Sequence, residues 1–273
     1  MDKKVQQIVL VLMVTCIVGM SCGRRTISQS IPADDADKLS FAPAWAALYM
    51  QKASEYKALT LQAYNIAYDR LDAYLQQPGT KPFAVITDID ETVLDNSPYT
   101  VHQAFKGASY SDSSWKVWTA LADCDTVPGA PAFFKYAASR KVEVFYISNR
   151  LQAEMAPTIA NLKRYGFPNA DETHVLLKTN GSGKDARRAQ VSAKYDVLLY
   201  FGDNLGDFSG VFDHKANDER DALVKEHVSD FGKRFIVLPN AMYGEWQGAL
   251  IHYNYQLSKK DQADSIIHSL RNY

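Results

Sequence analysis

Five short apolar runs, "FAVITDID", "VEVFYIS", "HVLLK", "VLLYFGD" and "RFIVLP", punctuate the chain beyond residue 80. Each is apolar continuously rather than at alternate positions, the pattern of strands covered on both faces. Stretches with helical spacing separate most of them, at about 130–140, 153–166, 184–195 and 216–230. This alternation predicts a doubly wound α/β core, a parallel sheet with helices on both faces.

The core is expected over 81–273, behind a helical region at 40–80. There Trp45, Tyr49, Ala53, Tyr56 and Leu59, then Ala63, Ile66, Leu71 and Leu75, recur at helical spacing until Pro78-Gly79 ends the run. The interval from about 95 to 128 breaks the rhythm. It reads as an irregular insertion above the sheet, forming a smaller, mainly helical cap with the N-terminal helices.

The first residues do not read as fold. Lys3 and Lys4 precede an apolar run from Ile8 to Met20, and Ser21-Cys22-Gly23 follows. This is the layout of a signal peptide over 1–21. A cysteine directly after small residues resembles a bacterial lipoprotein signal, which implies that Cys22 becomes the lipidated first residue of the mature chain, followed by a polar tether over 22–39; the alternative is a cleaved secretory signal with an incidental cysteine. Removing 1–21 takes Lys plus Arg from 30 to 28 and Asp plus Glu from 31 to 30, leaving a formal charge of −2. Without a basic excess there is no electrostatic case for a nucleic-acid polymer. Acylated Cys22 would leave Cys124 without a partner, so no disulfide holds the fold.

Open parallel sheets bind ligands beyond the carboxyl ends of their strands, and four of the runs end there in polar residues. The first ends in Asp88-Ile89-Asp90-Glu91-Thr92, the second in Ser148-Asn149-Arg150, the third in Lys178, and the fourth in Gly202-Asp203-Asn204 with Asp207 close behind. Carboxylates converging on one edge repel unless a hard cation lies between them. Mg²⁺ suits one or two carboxylates beside phosphate oxygens, and Ser148 and Lys178 suit the phosphate. An aspartate can attack phosphorus to form an acyl phosphate. A second, two residues on, can protonate the leaving oxygen and then take a proton from water.

Competing motifs fail on spacing. In an EF-hand reading of Asp88–Thr92 the sixth position is Val93 and the twelfth Tyr99, where Gly and Glu are required. "NGSGKDA" has Asp185 where a phosphate loop needs Ser or Thr, and no Gly five residues before Gly183. The histidines show no H-x-x-x-H pair for zinc.

"DIDETVLDNSPY", "ISNR", Lys178 before "DARR", and "GDNLGDF" together resemble the four motifs of the haloacid dehalogenase (HAD) superfamily. In detail they are similar to the class C acid phosphatases, the bacterial lipoprotein e (outer-membrane 5′-nucleotidase) family. The similarity includes "VPGA" at 127–130 and "LPNAMYGEWQG" at 238–248. The resemblance implies Asp88 as nucleophile and Asp90 as general acid/base. It implies Mg²⁺ held by Asp88, the Asp90 carbonyl and Asp203, with Asp207 acting through water or in support. Thr92, Ser148, Asn149 and Lys178 would bind the phosphoryl group, and Trp115 and Tyr243 would sandwich a nucleobase. It further implies an exported enzyme, lipid-anchored at the bacterial outer membrane, with nucleoside 5′-monophosphates as substrates, an acidic optimum and a homodimer as one state. Two alternatives stay open: a broad phosphatase for sugar and aryl phosphates, and a non-catalytic surface lipoprotein.

Plainer roles stand beside these. Thr92 and Asp207 could cap the segments that follow them, and Lys178 could be a surface lysine. Glu91 and Asp95 are expected only to shape the turn, and Trp118 to pack inside the cap.

Overall fold

The computed structural model describes residues 41–179 and 181–272, so the signal peptide, Cys22 and the tether lie outside the described residues. In chain order the elements are α1 (Ala42–Lys52), α2 (Ser54–Leu75), β1 (Phe83–Thr87), β2 (Leu94–Asp95), α3 (Ser97–Phe105), α4 (Asp112–Thr119), β3 (Asp125–Thr126), α5 (Ala130–Ser139) and β4 (Glu143–Leu151). They continue with α6 (Met155–Arg164), β5 (Val175–Lys178), α7 (Asp185–Ser192), β6 (Asp196–Gly202), α8 (Asn217–Glu226), β7 (Phe235–Val237), α9 (Glu245–Leu250) and α10 (Lys259–Ser269). None of the described helices is long and apolar enough to cross a membrane.

The five apolar runs form one parallel sheet in the order β5-β4-β1-β6-β7. The chain steps outward from β1 through β4 to β5, then returns to β6 on the opposite side of β1. That reversal opens a crevice at the carboxyl ends of β1 and β6. The Asp88 amide extends the ladder there by donating to the Phe201 carbonyl at 3.0 Å.

Alternate strand residues face opposite layers, as a sheet buried on both sides requires. Val85, Val144, Tyr146, Leu199 and Phe201 pack with Tyr64, Ala67 and Leu71 of α2, Phe133 and Phe134 of α5, and Leu162 of α6. Ala84, Ile86, Phe145 and Ile147 face the other way, against Val191 of α7. Each fully buried aromatic or aliphatic side chain contributes about 1.5–3 kcal/mol relative to exposure. Gly129, at φ 94°, passes so close to Tyr64 that a Cβ would lie 2.8 Å from the ring. Tyr64 reaches the loop after β1, where its hydroxyl donates to the Thr92 carbonyl at 2.7 Å.

Two regions carry more structure than their spacing foretold. The N-terminal helical region is two helices, broken at extended Ala53 (φ −74°, ψ 126°). α1 packs on α3 of the cap and is joined there by Tyr56 at the start of α2, whereas the rest of α2 buttresses the sheet through Tyr64, Ala67 and Leu71. The insertion is also more regular than expected. β2 and β3 pair antiparallel, Leu94 with Thr126 and Asp95 with Asp125, and close the base of an excursion carrying α3 and α4. The serines that read as loop are helix punctuation: the Ser111 hydroxyl caps α4 by accepting from the Ser114 amide at 3.2 Å.

Candidate active site

Asp88 leaves β1 into the crevice and is buried, 8% exposed. Asp203 leaves β6 beside it, and Asp207 follows on a short 3-10 turn at Leu205–Asp207. One carboxylate oxygen from each of the three lies within 4.8 Å of the others. The approach needs Gly202, where a Cβ would lie 2.3 Å from the Asp207 Cβ. Asp207 Oδ2 accepts from the Asn204 amide at 2.9 Å, so Asp207 closes the start of its own short turn rather than capping the segment that follows it. Asp203 Oδ2 accepts from Asn240 Nδ2 at 2.8 Å and Asn204 Nδ2 at 3.1 Å.

The cluster's lysine is Lys184. Its ammonium pairs with Asp88 Oδ1 and, at 2.6 Å, with Asp207 Oδ1. Lys178, expected at this position, ends β5 opposite Leu151, and among the described residues it makes no ion pair with these carboxylates. The physical reason is connectivity. The lysine comes from the residue preceding α7, after the chain has turned back over the strand ends, and not from the strand end itself. The sequence signal was present, because Lys184 and not Lys178 stands directly before "DARR".

That helix also fastens the neighbouring loops. Arg187 Nη1 donates to the Ser148 carbonyl at 2.6 Å and Nη2 to Asn149 Oδ1 at 2.8 Å. Arg188 Nη1 donates to the carbonyls of Gly206 and Asp207 at 2.7 and 3.0 Å.

Electrostatics show what the cluster lacks. Burial, opposed by Lys184 and reinforced by Asp207 and Asp90, raises the Asp88 carboxyl to about 7. Burial, with Asp207 and Asp88 adding to it, pushes Asp203 well above the usual carboxylate range. Burial pulls Lys184 down, yet Asp207 and Asp88 outweigh it and hold the ammonium above its ordinary value. Three carboxylates against one ammonium leave two formal negative charges. An all-oxygen donor set with that deficit fits one hard divalent cation.

Asp90 sits differently. Its carboxylate accepts from Arg150 Nη2 at 2.7 Å, from Asn96 Nδ2 at 2.9 Å and from Ser148 Oγ at 3.3 Å. Glu91, expected only to shape the turn, is fully buried at φ 59°. It accepts from the Asn96 amide at 2.7 Å and from the Tyr243 hydroxyl, tying the loop after β7 to the loop after β1.

The remaining expected residues divide. Ser148 is buried with its hydroxyl on Asp90, and Asn149 is exposed beside it. The Thr92 hydroxyl is buried and donates to Asp203 Oδ1 at 3.4 Å, a long contact. Trp115 is packed rather than open: 9% exposed, edge-on to Tyr99 at 4.9 Å and with the Arg150 guanidinium 5.8 Å from its ring centre. Tyr243 is 36% exposed, with Trp246 beside it at 41%. Trp118 is a packing residue, but against the main core rather than inside the cap, its Nε1 donating to Asn96 Oδ1 at 2.8 Å. Arg150 was named only as the end of the second run, and Asn96 and Asn240 stood only as letters inside "DIDETVLDNSPY" and "LPNAMYGEWQG"; none of the three was given a role from the sequence.

Residues 30–246 match the family model described as HAD superfamily, subfamily IIIB (acid phosphatase). Among solved structures, the class C acid phosphatase from Bacillus anthracis superposes with a TM-score of 0.84 at 40% identity, over 86% of this chain and 99% of that one. The same values hold for its form with tungstate bound. The stem 31 kDa glycoprotein of Glycine max is 26% identical over 164 residues, and the match spans 58% of each chain. With a parallel sheet, a carboxylate cluster at its switch point and these relatives, the chain belongs to subfamily IIIB of the HAD superfamily and is an acid phosphatase acting on small-molecule phosphate esters.

Proposed function

We propose that this phosphatase hydrolyses nucleoside 5′-monophosphates and related phosphomonoesters through a covalent Asp88 phosphate, with Mg²⁺ as its metal. The observation that carries the reading is the placement of Asp88 against Lys184 and beside the other two carboxylates, with Asp90 two residues further on. An Asp88 oxygen bonds to phosphorus as the ester P–O bond breaks, and the leaving oxygen takes the Asp90 proton. Water then attacks phosphorus and gives a proton to Asp90, and the Asp88–phosphorus bond breaks to release phosphate. Lys184, already on Asp88, could meet a phosphoryl oxygen there, and Ser148 and Asn149 lie at the end of the adjacent strand β4. Mg²⁺ held by Asp88, Asp203 and the Asp90 carbonyl, with Asp207 in support, would neutralise charge on the phosphoryl oxygens. Tungstate, a tetrahedral oxyanion like phosphate, is bound by the Bacillus anthracis relative, which supports an oxyanion site.

Tyr243, held through its hydroxyl and partly exposed, supports nucleobase recognition. The burial of Trp115 favours the second reading, a broader phosphomonoesterase with one stacking ring rather than two. On the layout of residues 1–23 we place the protein in the bacterial cell envelope, anchored through Cys22 to the outer membrane. The test is phosphate release from AMP and a sugar phosphate, with rapid-quench trapping of the labelled enzyme. A hydroxylamine-labile phosphoprotein is expected in the native protein and none in Asp88→Asn. Release without such a species would overturn the covalent route, and Tyr243→Ala slowing both substrates equally would leave the broader reading.

A further inference from the structure

Arg150 ends "ISNR" as a buried cation, 2% exposed, outside the roles assigned above. Its guanidinium curls back from β4 onto Asp90. Nη2 donates to Oδ1 at 2.7 Å, and Nε is shared between Oδ1 at 3.0 Å and Oδ2 at 3.2 Å. The remaining nitrogen is anchored outward, Nη1 donating to Thr158 Oγ1 on α6 at 3.1 Å. Cys124 Sγ lies 4.0 Å from Nη2, and the guanidinium carbon lies over Trp115. Asn96 completes the enclosure, fixed by Trp118 Nε1 at 2.8 Å while its own Nδ2 donates to Asp90.

A buried arginine that only filled a gap could be replaced by an apolar side chain of similar volume. Here the planar fork meets the one carboxyl group that the proposed chemistry protonates and deprotonates. A fork of fixed geometry restrains its partner's torsions in a way a single point charge does not. Ser148, on the same strand end, donates to the other side of that carboxylate, so Asp90 is gripped from both flanks.

We propose that Arg150 is a positioning residue for the proton-transfer step. Seated on Thr158, it holds the Asp90 carboxyl in one orientation and meets the carboxylate that remains once the proton has gone to the leaving oxygen. This rests on Asp90 being the acid/base. The cost of losing Arg150 then scales with how much the leaving group needs a proton. An alkoxide needs it, whereas an activated phenolate such as nitrophenolate hardly does.

The experiment measures kcat/KM for an alkyl phosphate and for nitrophenyl phosphate in the native protein, Arg150→Met, Arg150→Lys and Asp90→Asn. Positioned acid–base groups contribute about 10²–10⁴-fold. Arg150→Met should therefore lose about a hundredfold on the alkyl phosphate and only a fewfold on the aryl one, and Arg150→Lys should recover part of the loss. Equal losses on both substrates, or none on either, would overturn the inference. If Arg150→Met does not fold, Thr158→Val answers through the same substrate bias at smaller size, and no bias there counts against it. If Asp90→Asn shows no bias, the assignment of Asp90 has failed and this inference with it. If Asp90→Asn shows bias and the Arg150 variants do not, only the role of Arg150 is lost.

Discussion

Asp88 and Asp90 leave the same strand two residues apart, yet they occupy opposite electrostatic settings. Asp90 is matched inside the protein by Arg150, Asn96 and Ser148. Asp88 shares a single lysine with Asp207 and lies against Asp203 as well. One half of the site is complete as folded, and the other half carries a deficit of positive charge that something from solution must supply. A phosphatase gains from this division, because the deficient half is where metal and phosphate can enter. The complete half stays fixed while protons move.

The largest expected effect strikes the deficient half. Chelation should remove essentially all turnover, and Mg²⁺ should restore it. A ligand present at 100 times its dissociation constant stabilises the fold by about 2.7 kcal/mol, so added Mg²⁺ should also raise the thermal midpoint of the native protein. Asp203→Asn should abolish that rise and Asp90→Asn should keep it. Loss of the rise in Asp90→Asn would erase the distinction drawn here.

A smaller effect separates the two lysines. Lys184→Met removes a charged donor from a buried pair and should lower kcat/KM by about 10²–10³-fold, the usual cost of deleting one oriented donor. Lys178→Met, at a half-buried residue that pairs with none of these carboxylates, should stay within about twofold, as changes away from a named interaction do. The reverse order would restore Lys178 to the site.

The smallest effect probes the complete half. Burial, with Asp90 adding and Arg150 opposing, pushes the Cys124 thiol up to about 12, whereas a free thiol has a pKa of about 8.5. The thiolate fraction at pH 8 is then lower by roughly a thousandfold. Alkylation of native Cys124 should be negligible at pH 8, faster only as the pH climbs toward 12 or the chain unfolds, and unchanged by Mg²⁺. Rapid labelling at pH 8, or labelling that Mg²⁺ alters, would mean that this side is open to the metal half after all.

Most of the site's placement was legible because the parallel-sheet rule locates strand ends without any knowledge of side-chain direction. Asp88, Asp203 and Asp207 gather where that rule put them. Lys184 was missed because it reaches the crevice from a helix start, to which the rule does not apply. Arg150 was visible as a letter in "ISNR", but the return of its guanidinium to Asp90 depends on Cys124 and Trp115, which are distant in sequence, and on Thr158 in the helix that follows. The break at Ala53 carries no Pro or Gly to announce it. In the insertion, the polar run around Ser111 and Ser114 marks a helix cap as readily as a loop.

Only eight residues long, α7 is preceded by the ammonium that touches Asp88 and also carries the guanidiniums that grip the backbone at Ser148 and at Gly206 and Asp207. Tugging that lysine toward an incoming anion would therefore strain both of those segments in concert, so occupancy by substrate should register as a collective stiffening of the rim.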